Sequence, residues 1–328
     1  MDKVERALDD IRRKWVPDSR LGVFEVSLLP KGVSGLTSSL DARDAVRRLA
    51  AEAGLAGAVT LLPDEAIADA AAVVTAAIAP LLREPQLSSA RVSEVLHGET
   101  LAILERRDEW LRVQAPDGYV AWLSAGYVAT GPKDWAEDWS VRASARALSA
   151  DIVTANGRRR LPTGARVALK RGVVELADGQ RGAVAAGSVR REQELRVEAR
   201  HLALPELAQK WYGGAPYLWG GRTEWGIDCS GLVQAVYAAR GVSLLRDSDQ
   251  QFSQGHEVPT QSDGAGYEAG DLLCFAERGR VSHVALWAGA GRIVHSALSR
   301  GGVGGDHLFG DEPRMKRLRE GLVGVRRL

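Results

Sequence analysis

Cys229 is the residue best placed for nucleophilic chemistry, and it lies in the segment PYLWGGRTEWGIDCSGLVQAVYAARGV. Apolar residues recur at helical spacing from Leu232 to Tyr237, and Gly241 is a suitable residue to end a helix. Cys229 is therefore predicted at a helix N-terminus, where the helix end stabilises an anion and lowers a thiol pKa toward the reactive thiolate. A neighbouring base would complete its activation.

His283 and His295 are the candidates for that base and its partner. They lie in VSHVALW and RIVHSA, two alternating segments joined by the tetrapeptide AGAG, which predicts an antiparallel hairpin. With a turn centred on Ala290, His295 lies opposite Ala285 and diagonal to His283 on one face, about 7–8 Å away between Cα atoms. A turn displaced by one residue would separate them. Two imidazoles facing a helix-terminal thiol would form a nucleophile, a base and a group that orients the base.

At these residues the chain resembles the NlpC-type cell-wall peptidases, a papain-like family. Six motifs match in order, namely PYLWGG, DCSGL, RDSDQQ, GDLLCF, SHVALW and IVHSA. Together they span about a hundred residues, which makes the resemblance specific although no single motif decides it. It implies that Cys229 attacks a peptide carbonyl, that His283 takes and returns its proton, and that His295 aligns His283. It also implies that Tyr217 and the backbone N–H of Cys229 hold the oxyanion on which charge develops.

Upstream of this region, short apolar runs recur between turn signals, a pattern typical of small β-barrels. The stretch from LLREP to SAGYV resembles the bacterial SH3-like domain, with GE before one strand, W.RV on the next and DGY.AW at a hairpin. The segment that follows is predicted as a second, weaker copy, because its DGQRGAVAAGSV matches DGYVAWLSAGYV with the aromatic residues lost.

The predicted fold class is a multidomain α+β protein with four parts. These are a small αβ module at residues 1–68, SH3-like β-barrels at 69–131 and 132–192, and a papain-like α+β peptidase domain at 193–328. The polar segment 190–194 is the predicted linker before the last domain. The first part resembles a BON-like module in its pattern of helix, strand, helix and strand, predicted at Lys3–Lys14, Gly22–Leu29, an Asp41-capped helix ending at Gly54, and Ala58–Leu62.

SH3-like domains upstream of this peptidase resemble the γ-D-glutamyl-L-diamino acid endopeptidases, which cleave murein stem peptides that begin with a free L-Ala. The resemblance implies an ammonium pocket shared between the catalytic domain and the first SH3-like domain. Buried carboxylates there would need a cation partner, and a substrate ammonium would supply one, whereas an N-acylated peptide would not. The residues implied are Asp228, Ser230, Trp219, Asp247 and Ser248 from the catalytic domain and Glu84 and Tyr119 from the SH3-like domain.

Other interpretations of these residues stay open. Glu84 and Asp247 could be solvated loop carboxylates, Tyr119 could be SH3-like core, and Asp228 could cap the Cys229 helix. Cys274, in the apolar run DLLCF, is predicted as a buried small hydrophobe. A metal site from His283, His295 and Asp271 is conceivable but lacks zinc-motif spacing, so no metal or cofactor is predicted. The remaining histidines are predicted to be surface or incidental residues, namely His97, His201, His256 and His307.

Composition and charge limit the classes of function that the protein can have. The 328 residues carry a formal net charge of +1, which gives no basic field to attract nucleic acid or an anionic membrane. The N-terminus MDKVERALDDIRRKW lacks an apolar signal segment, and two cysteines fit a reduced compartment, so a cytoplasmic location is expected.

The function predicted from the sequence is cysteine endopeptidase action on the γ-D-Glu–L-diamino acid bond of liberated murein peptides, in cell-wall peptide recycling. The alternatives are a cell-wall-binding module, and an amidase or acyl-transfer enzyme of the same thiol clan. The intact set of one thiol and two imidazoles argues against binding alone.

Overall fold

A computed structural model describes residues 2–328, which divide into two compact units. The first unit contains the chain up to Val73, Leu81–Ala90 and Thr100–Asp138, and the second contains Val74–Pro80, Arg91–Glu99 and Trp139–Leu328. The predicted multidomain α+β class is confirmed. Among residues 2–328, no helix is long and apolar enough to cross a lipid bilayer.

The N-terminal part of the first unit is a three-stranded sheet with two helices. Strand β1 pairs antiparallel with β2, which pairs parallel with β3, and Leu8, Val46 and Val59 pack in the core beneath. Strand β2 was not predicted, because GVSGLT contains two glycines and no clear alternation. The elements are α1 (Asp2–Trp15), β1 (Phe24–Leu29), β2 (Gly32–Thr37), α2 (Leu40–Glu52) and β3 (Ala56–Leu61).

The predicted cap of the second helix is wrong by two residues. Ser39, not Asp41, is the N-cap of α2, and its hydroxyl accepts a hydrogen bond from the backbone N–H of Ala42 at 3.2 Å. Asp41 lies in the first turn, where a carboxylate still interacts favourably with the helix dipole.

The next strands include those predicted from the SH3-like motifs. In the first unit β7, β8 and β9 form an antiparallel meander, and Leu82, Trp110 and Trp122 pack together. The predicted strands LAILER, WLRVQ and YVAWL are therefore confirmed. The elements are β4 (Ala70–Val74), β5 (Ile78–Leu82), β6 (Arg91–Leu96), β7 (Thr100–Arg107), β8 (Trp110–Gln114), β9 (Val120–Ser124), β10 (Val128–Pro132) and α3 (Lys133–Arg142).

The second predicted SH3-like copy is a small closed sheet within the second unit. Its last strand, β15, pairs with both β14 and β11, which closes a ring around Ala147, Ile152 and Val167. The elements are β11 (Ala145–Thr154), β12 (Gly157–Leu161), β13 (Arg166–Lys170), β14 (Val173–Glu175) and β15 (Arg181–Arg191).

The C-terminal domain is a six-stranded antiparallel sheet with helices packed on it. The sheet order is β18-β23-β19-β20-β21-β22, and α5 and α6 pack against β20 and β21. The predicted linker at 190–194 is not one, because β15 ends at Arg191 and α4 begins at Glu192. The elements are α4 (Glu192–His201), α5 (Leu204–Tyr212), β16 (Arg222–Thr223), β17 (Gly226–Ile227), α6 (Cys229–Ala239), α7 (Ser248–Phe252), β18 (His256–Val258), β19 (Leu272–Glu277), β20 (Arg280–Gly289), β21 (Arg292–Ala297), β22 (Gly302–His307), α8 (Pro313–Glu320) and β23 (Leu322–Arg327).

Alternation along β19 divides the core of this domain into two layers. Leu272 and Cys274 pack with the helices, while Leu273 and Phe275 pack on the opposite face of the sheet. Cys274 is fully buried and unbridged, so the prediction that it is a small core hydrophobe is confirmed.

His97 is a core residue, which corrects its predicted surface position. Its ring is fully buried in the second unit, where Nε2 accepts from the Ala177 backbone N–H and Nδ1 donates to the Thr75 carbonyl, each at 3.0 Å. Burial lowers the pKa of His97 to about 4, although the hydrogen bond to Thr75 opposes that shift. His201, His256 and His307 are exposed, as predicted.

We expect this buried imidazole to make the protein less stable in mild acid. The unfolded chain binds a proton with a pKa near 6.5, whereas folded His97 does so only near 4. Its contribution is therefore present above pH 6.5 and is lost as the pH falls toward 4, by about 2 kcal/mol at pH 5.

Urea unfolding at pH 7.5 and pH 5 checks this expectation. His97→Gln should lose less stability between the two pH values than the wild type, and His201→Gln, at an exposed position, should behave like the wild type. An equal loss in His97→Gln and the wild type would contradict the expectation.

Candidate active site

Cys229 is the first residue of α6, and the carboxylate before it fixes that helix start. Asp228 is the N-cap, and its Oδ1 accepts a hydrogen bond from the backbone N–H of Gly231 at 2.7 Å. The predicted helix-terminal position of Cys229 is thus confirmed. The thiol is 5% exposed and packs within the apolar layer between α6 and the sheet.

The hairpin β20–β21 brings the two predicted histidines into contact. Leu286 pairs with Val294, which is the register of a turn centred on Ala290, and Ala290 adopts the left-handed φ of 49°. His283 Nε2 and His295 Nδ1 are 2.8 Å apart. The diagonal pairing predicted from the alternating segments is confirmed.

The thiol lies beside the strand that carries His283. Helix α6 packs on β20, and Cys229 lies in the same apolar layer as Val284, the residue that follows His283. Burial and, to a smaller extent, the Asp228 charge raise the pKa of Cys229 to about 12. The predicted lowering of this thiol pKa by the helix terminus is therefore wrong, because desolvation outweighs the helix end.

The imidazole of His283 is also neutral at physiological pH. Burial, together with the neighbouring His295, lowers the pKa of His283 to about 3. Both shifts favour the uncharged forms of Cys229 and His283.

Asp306 extends this set and was not predicted. His295 Nε2 lies 3.0 Å from Asp306 Oδ2, and the other carboxylate oxygen accepts from Arg300 at 2.6 Å and from Arg314 at 2.8 Å. His295 pairs with Gly304 on β22, so Asp306 is its diagonal neighbour on that strand. The same diagonal rule would have found it had the glycine-rich segment GGVGGDH been predicted as a strand.

Asp228 has a second role, as the partner of a buried arginine. Arg246 is 1% exposed and donates to Asp228 Oδ1 at 3.0 Å and Oδ2 at 2.8 Å, and its other donors reach the hydroxyls of Ser93 and Ser230 at 2.9 Å. Asp228 therefore does not need a substrate ammonium for charge balance, contrary to the prediction, because Arg246 supplies the cation. Sequence reasoning missed Arg246, since its contact with Asp228 spans 18 residues of chain.

Comparison with known proteins agrees with this geometry. Residues 214–320 match the NlpC/P60 family, and residues 81–126 match the bacterial dipeptidyl-peptidase Sh3 domain. The C-terminal domain belongs to the NlpC/P60 family. The chain thus carries an NlpC/P60 domain, which agrees with the cysteine peptidase that its sequence predicts.

Two curated relatives are both named gamma-D-glutamyl-L-lysine dipeptidyl-peptidase. The chain is 28% identical to the one from Bacillus subtilis over 225 residues, which are 62% of this chain and 71% of that protein. It is 38% identical to the one from Bacillus cereus over 90 residues, 26% of each chain. The solved structure of an NlpC/P60 family protein from Bacillus cereus covers 78% of this chain and 99% of its own, with a TM-score of 0.65 at 19% identity, and shares the fold.

Within the NlpC/P60 domain, Tyr217 lies close to Cys229 and Asp228. It forms an isolated bridge with Ile227, and its backbone N–H donates to the Gly301 carbonyl at 3.0 Å. Burial raises the pKa of the Tyr217 phenol, and the neighbouring Cys229 and Asp228 act in the same direction. The hydroxyl therefore stays protonated and can donate to a developing oxyanion.

The other predicted pocket residues of this domain differ in exposure. Ser230 is buried and joins the network of Asp228 and Arg246, whereas Trp219 is 63% exposed. Asp247 is the N-cap of α7, its backbone N–H donates to the Gln250 side chain at 3.1 Å, and Ser248 after it is buried.

Glu84 and Tyr119 belong to the first unit. Glu84 is exposed and its Oε2 accepts from the Gln86 side chain at 3.2 Å, so it is not the buried carboxylate that the ammonium argument assumed. Tyr119 is 4% exposed, and its backbone N–H donates to Asp117 at 3.1 Å.

The conceivable metal set does not assemble. In the described part of the chain, no group of three His, Cys, Asp or Glu side chains could hold a metal ion. Asp271 instead accepts two hydrogen bonds of 2.7 Å from Arg327.

We expect Arg246→Met to destabilise the NlpC/P60 domain by about 3–5 kcal/mol, because it leaves the buried Asp228 carboxylate without its cation. Arg196→Met is the matched control, since it breaks an exposed pair with Glu192 on α4 and should cost about 0.5 kcal/mol or less. Urea unfolding followed by tryptophan fluorescence measures both. Equal stability of the two variants would contradict a dominant role for the buried pair.

Proposed function

We propose that this chain hydrolyses peptide bonds through Cys229, with His283 as the base and His295 orienting it. The observation that carries the proposal is the 2.8 Å contact between His283 and His295 on a strand packed against the helix that begins with Cys229. A thiol, a neutral imidazole and a second imidazole in this order match the requirements of a nucleophile, its base and an orienting group.

The geometry supports the following sequence of steps. His283 takes the proton of Cys229 as the sulfur forms a bond to the carbonyl carbon, and the oxyanion accepts from the Cys229 backbone N–H and the Tyr217 hydroxyl. His283 then returns the proton to the departing amine, leaving a thioester. Water, deprotonated by His283, attacks the thioester, and the thiol is restored as the carboxylate leaves. The Cys229 N–H belongs to the first turn of α6, where N–H groups have no intrahelical partner.

For the substrate, we propose the γ-D-Glu–L-diamino acid bond of murein peptides that carry a free N-terminal L-Ala. The names of both curated relatives refer to a γ-D-glutamyl-L-lysine bond, and the match to the bacterial dipeptidyl-peptidase Sh3 domain upstream of the NlpC/P60 domain supports the same bond here. A free N-terminus arises after a stem peptide is released from its sugar, which supports a role in peptide recycling in the cytoplasm.

In this proposal the substrate ammonium is recognised beside Cys229. Asp228, Ser230, Asp247 and Ser248 supply oxygen acceptors, and the exposed Trp219 supplies an aromatic face. Asp228 contributes as a hydrogen-bond acceptor whose charge Arg246 already balances, rather than as an unpaired charge. Glu84 and Tyr119 stay predictions from the resemblance.

We expect Cys229→Ala to lower kcat by about 10⁴-fold or more, because the nucleophile is removed. Cys274→Ala is the matched control, since its thiol is buried in the same apolar layer but takes no part in the proposed steps, and it should retain activity. Release of the diamino acid from L-Ala-γ-D-Glu-L-Lys, followed by mass spectrometry, measures both variants. Full activity of Cys229→Ala would exclude the proposed mechanism.

We expect a strong preference for the free amine over its N-acetylated form. Acetylation removes the ammonium, leaves oxygen acceptors unsatisfied and should lower kcat/KM by about 10²-fold or more. The two peptides, offered at equal concentration to the wild-type chain, give the ratio directly. Equal kcat/KM values would refute ammonium recognition while leaving the thiol mechanism intact.

A further inference from the structure

His295 is held at both ring nitrogens, and both contacts are shielded from water. Nδ1 faces His283 Nε2 at 2.8 Å, and Nε2 faces Asp306 Oδ2 at 3.0 Å, while His295 itself is 2% exposed. A neutral imidazole carries one N–H, so one of these contacts must have His295 as donor and the other as acceptor. Which one donates depends on the state of Asp306.

The surroundings of Asp306 favour its ionised form. Burial of the carboxylate opposes ionisation, but the hydrogen bond from His295 and the charges of Arg300 and Arg314 lower the pKa of Asp306 below its usual value. Both arginines donate to Oδ1, which leaves Oδ2 to His295. An ionised carboxylate can only accept, and His295 must therefore carry its proton on Nε2.

The position of the proton on His295 determines which ring nitrogen of His283 carries a proton. With its proton on Nε2, His295 is an acceptor at Nδ1, so His283 must donate from Nε2. The unprotonated nitrogen of neutral His283 is then Nδ1. We propose that Asp306 is a positioning residue that sets the tautomers of both histidines and so leaves His283 Nδ1 to take the Cys229 proton, a role that rests on the proposed thiol mechanism.

Substitution of Asp306 by asparagine should reverse the direction of the hydrogen bonds that join residue 306, His295 and His283. Arg300 and Arg314 both donate to the position of Oδ1, so an asparagine would place its oxygen there and its NH₂ at the position that faces His295. His295 would then accept at Nε2 and donate from Nδ1, which would force the proton of His283 onto its own Nδ1. His283 could then no longer take a proton from the thiol.

The kinetic test compares Asp306→Asn with Asp306→Ala. Asp306→Asn should lower kcat by about 10²-fold or more with little change in KM, because it imposes the wrong tautomer. Asp306→Ala imposes neither tautomer and should lose less. Asp271→Asn is the matched control. Asp271 is a buried carboxylate that pairs with Arg327 on β23, a strand that does not adjoin β21 or β22, and this variant should keep the wild-type kcat. Equal or greater loss in Asp306→Ala would overturn the proposal.

A spectroscopic test is independent of peptide cleavage. In the ¹⁵N-histidine NMR spectrum of the full wild-type chain, the proton of His283 should be on Nε2, with resonances assigned by His283→Gln and His295→Gln. In Asp306→Asn it should move to Nδ1. A wild-type His283 protonated on Nδ1 would overturn the proposal, even if Asp306→Asn failed to fold.

The two readouts separate this proposal from the proposed function. An active Asp306→Asn beside an inactive Cys229→Ala would refute the tautomer role and leave the thiol mechanism standing. The expected tautomers in a wild-type chain that cleaves none of the peptides would support the role of Asp306 and refute the proposed substrate.

Discussion

The buried ion pair of Asp228 and Arg246 is the constraint on which the geometry of the site depends. The Asp228 carboxylate caps α6 and accepts hydrogen bonds from both terminal nitrogens of Arg246. It also accepts one from the Gly220 backbone N–H at 2.8 Å. It therefore fixes the start of the helix, the preceding loop and the segment that carries Arg246 at one point. Because Cys229 directly follows Asp228, these contacts also fix the position of Cys229. A buried pair of this kind adds little net stability over apolar residues, but it strongly disfavours any arrangement in which one charge lies unpaired.

The position of Cys229 beside Asp228 also buries its thiol away from water. A helix N-terminus on a protein surface would favour the thiolate, but here burial has the larger effect and raises the pKa of Cys229 to about 12. The same burial lowers the pKa of His283 to about 3. Both shifts favour the uncharged thiol and the uncharged imidazole in the folded chain.

Local patterning predicted the elements that carry the site, and tertiary effects account for what it missed. The spacing of Leu232, Val236 and Tyr237 placed Cys229 at a helix start, and period-two alternation placed His283 beside His295. Asp306 was missed because glycine-rich β22 has no such alternation, and Arg246 because its partner is distant in sequence. The pKa of Cys229 was predicted in the wrong direction because burial is a property of the folded chain. The exposed Glu84 shows the same limit, since a loop carboxylate carries no signal of its burial.

The carboxylate that orients the two imidazoles is itself held by two arginines. Arg300 and Arg314 both pair with Asp306, and Arg314 also pairs with Glu312 at 2.7 Å, so two cations face two carboxylates. The local charge is balanced while the direction of each hydrogen bond remains fixed. Asp306 can therefore orient His295 with its charge already met by Arg300 and Arg314, just as Asp228 fixes the helix start with its charge already met by Arg246. In both cases arginine side chains balance the charge of a carboxylate at the site, so that its main effect is on the geometry of the groups it holds.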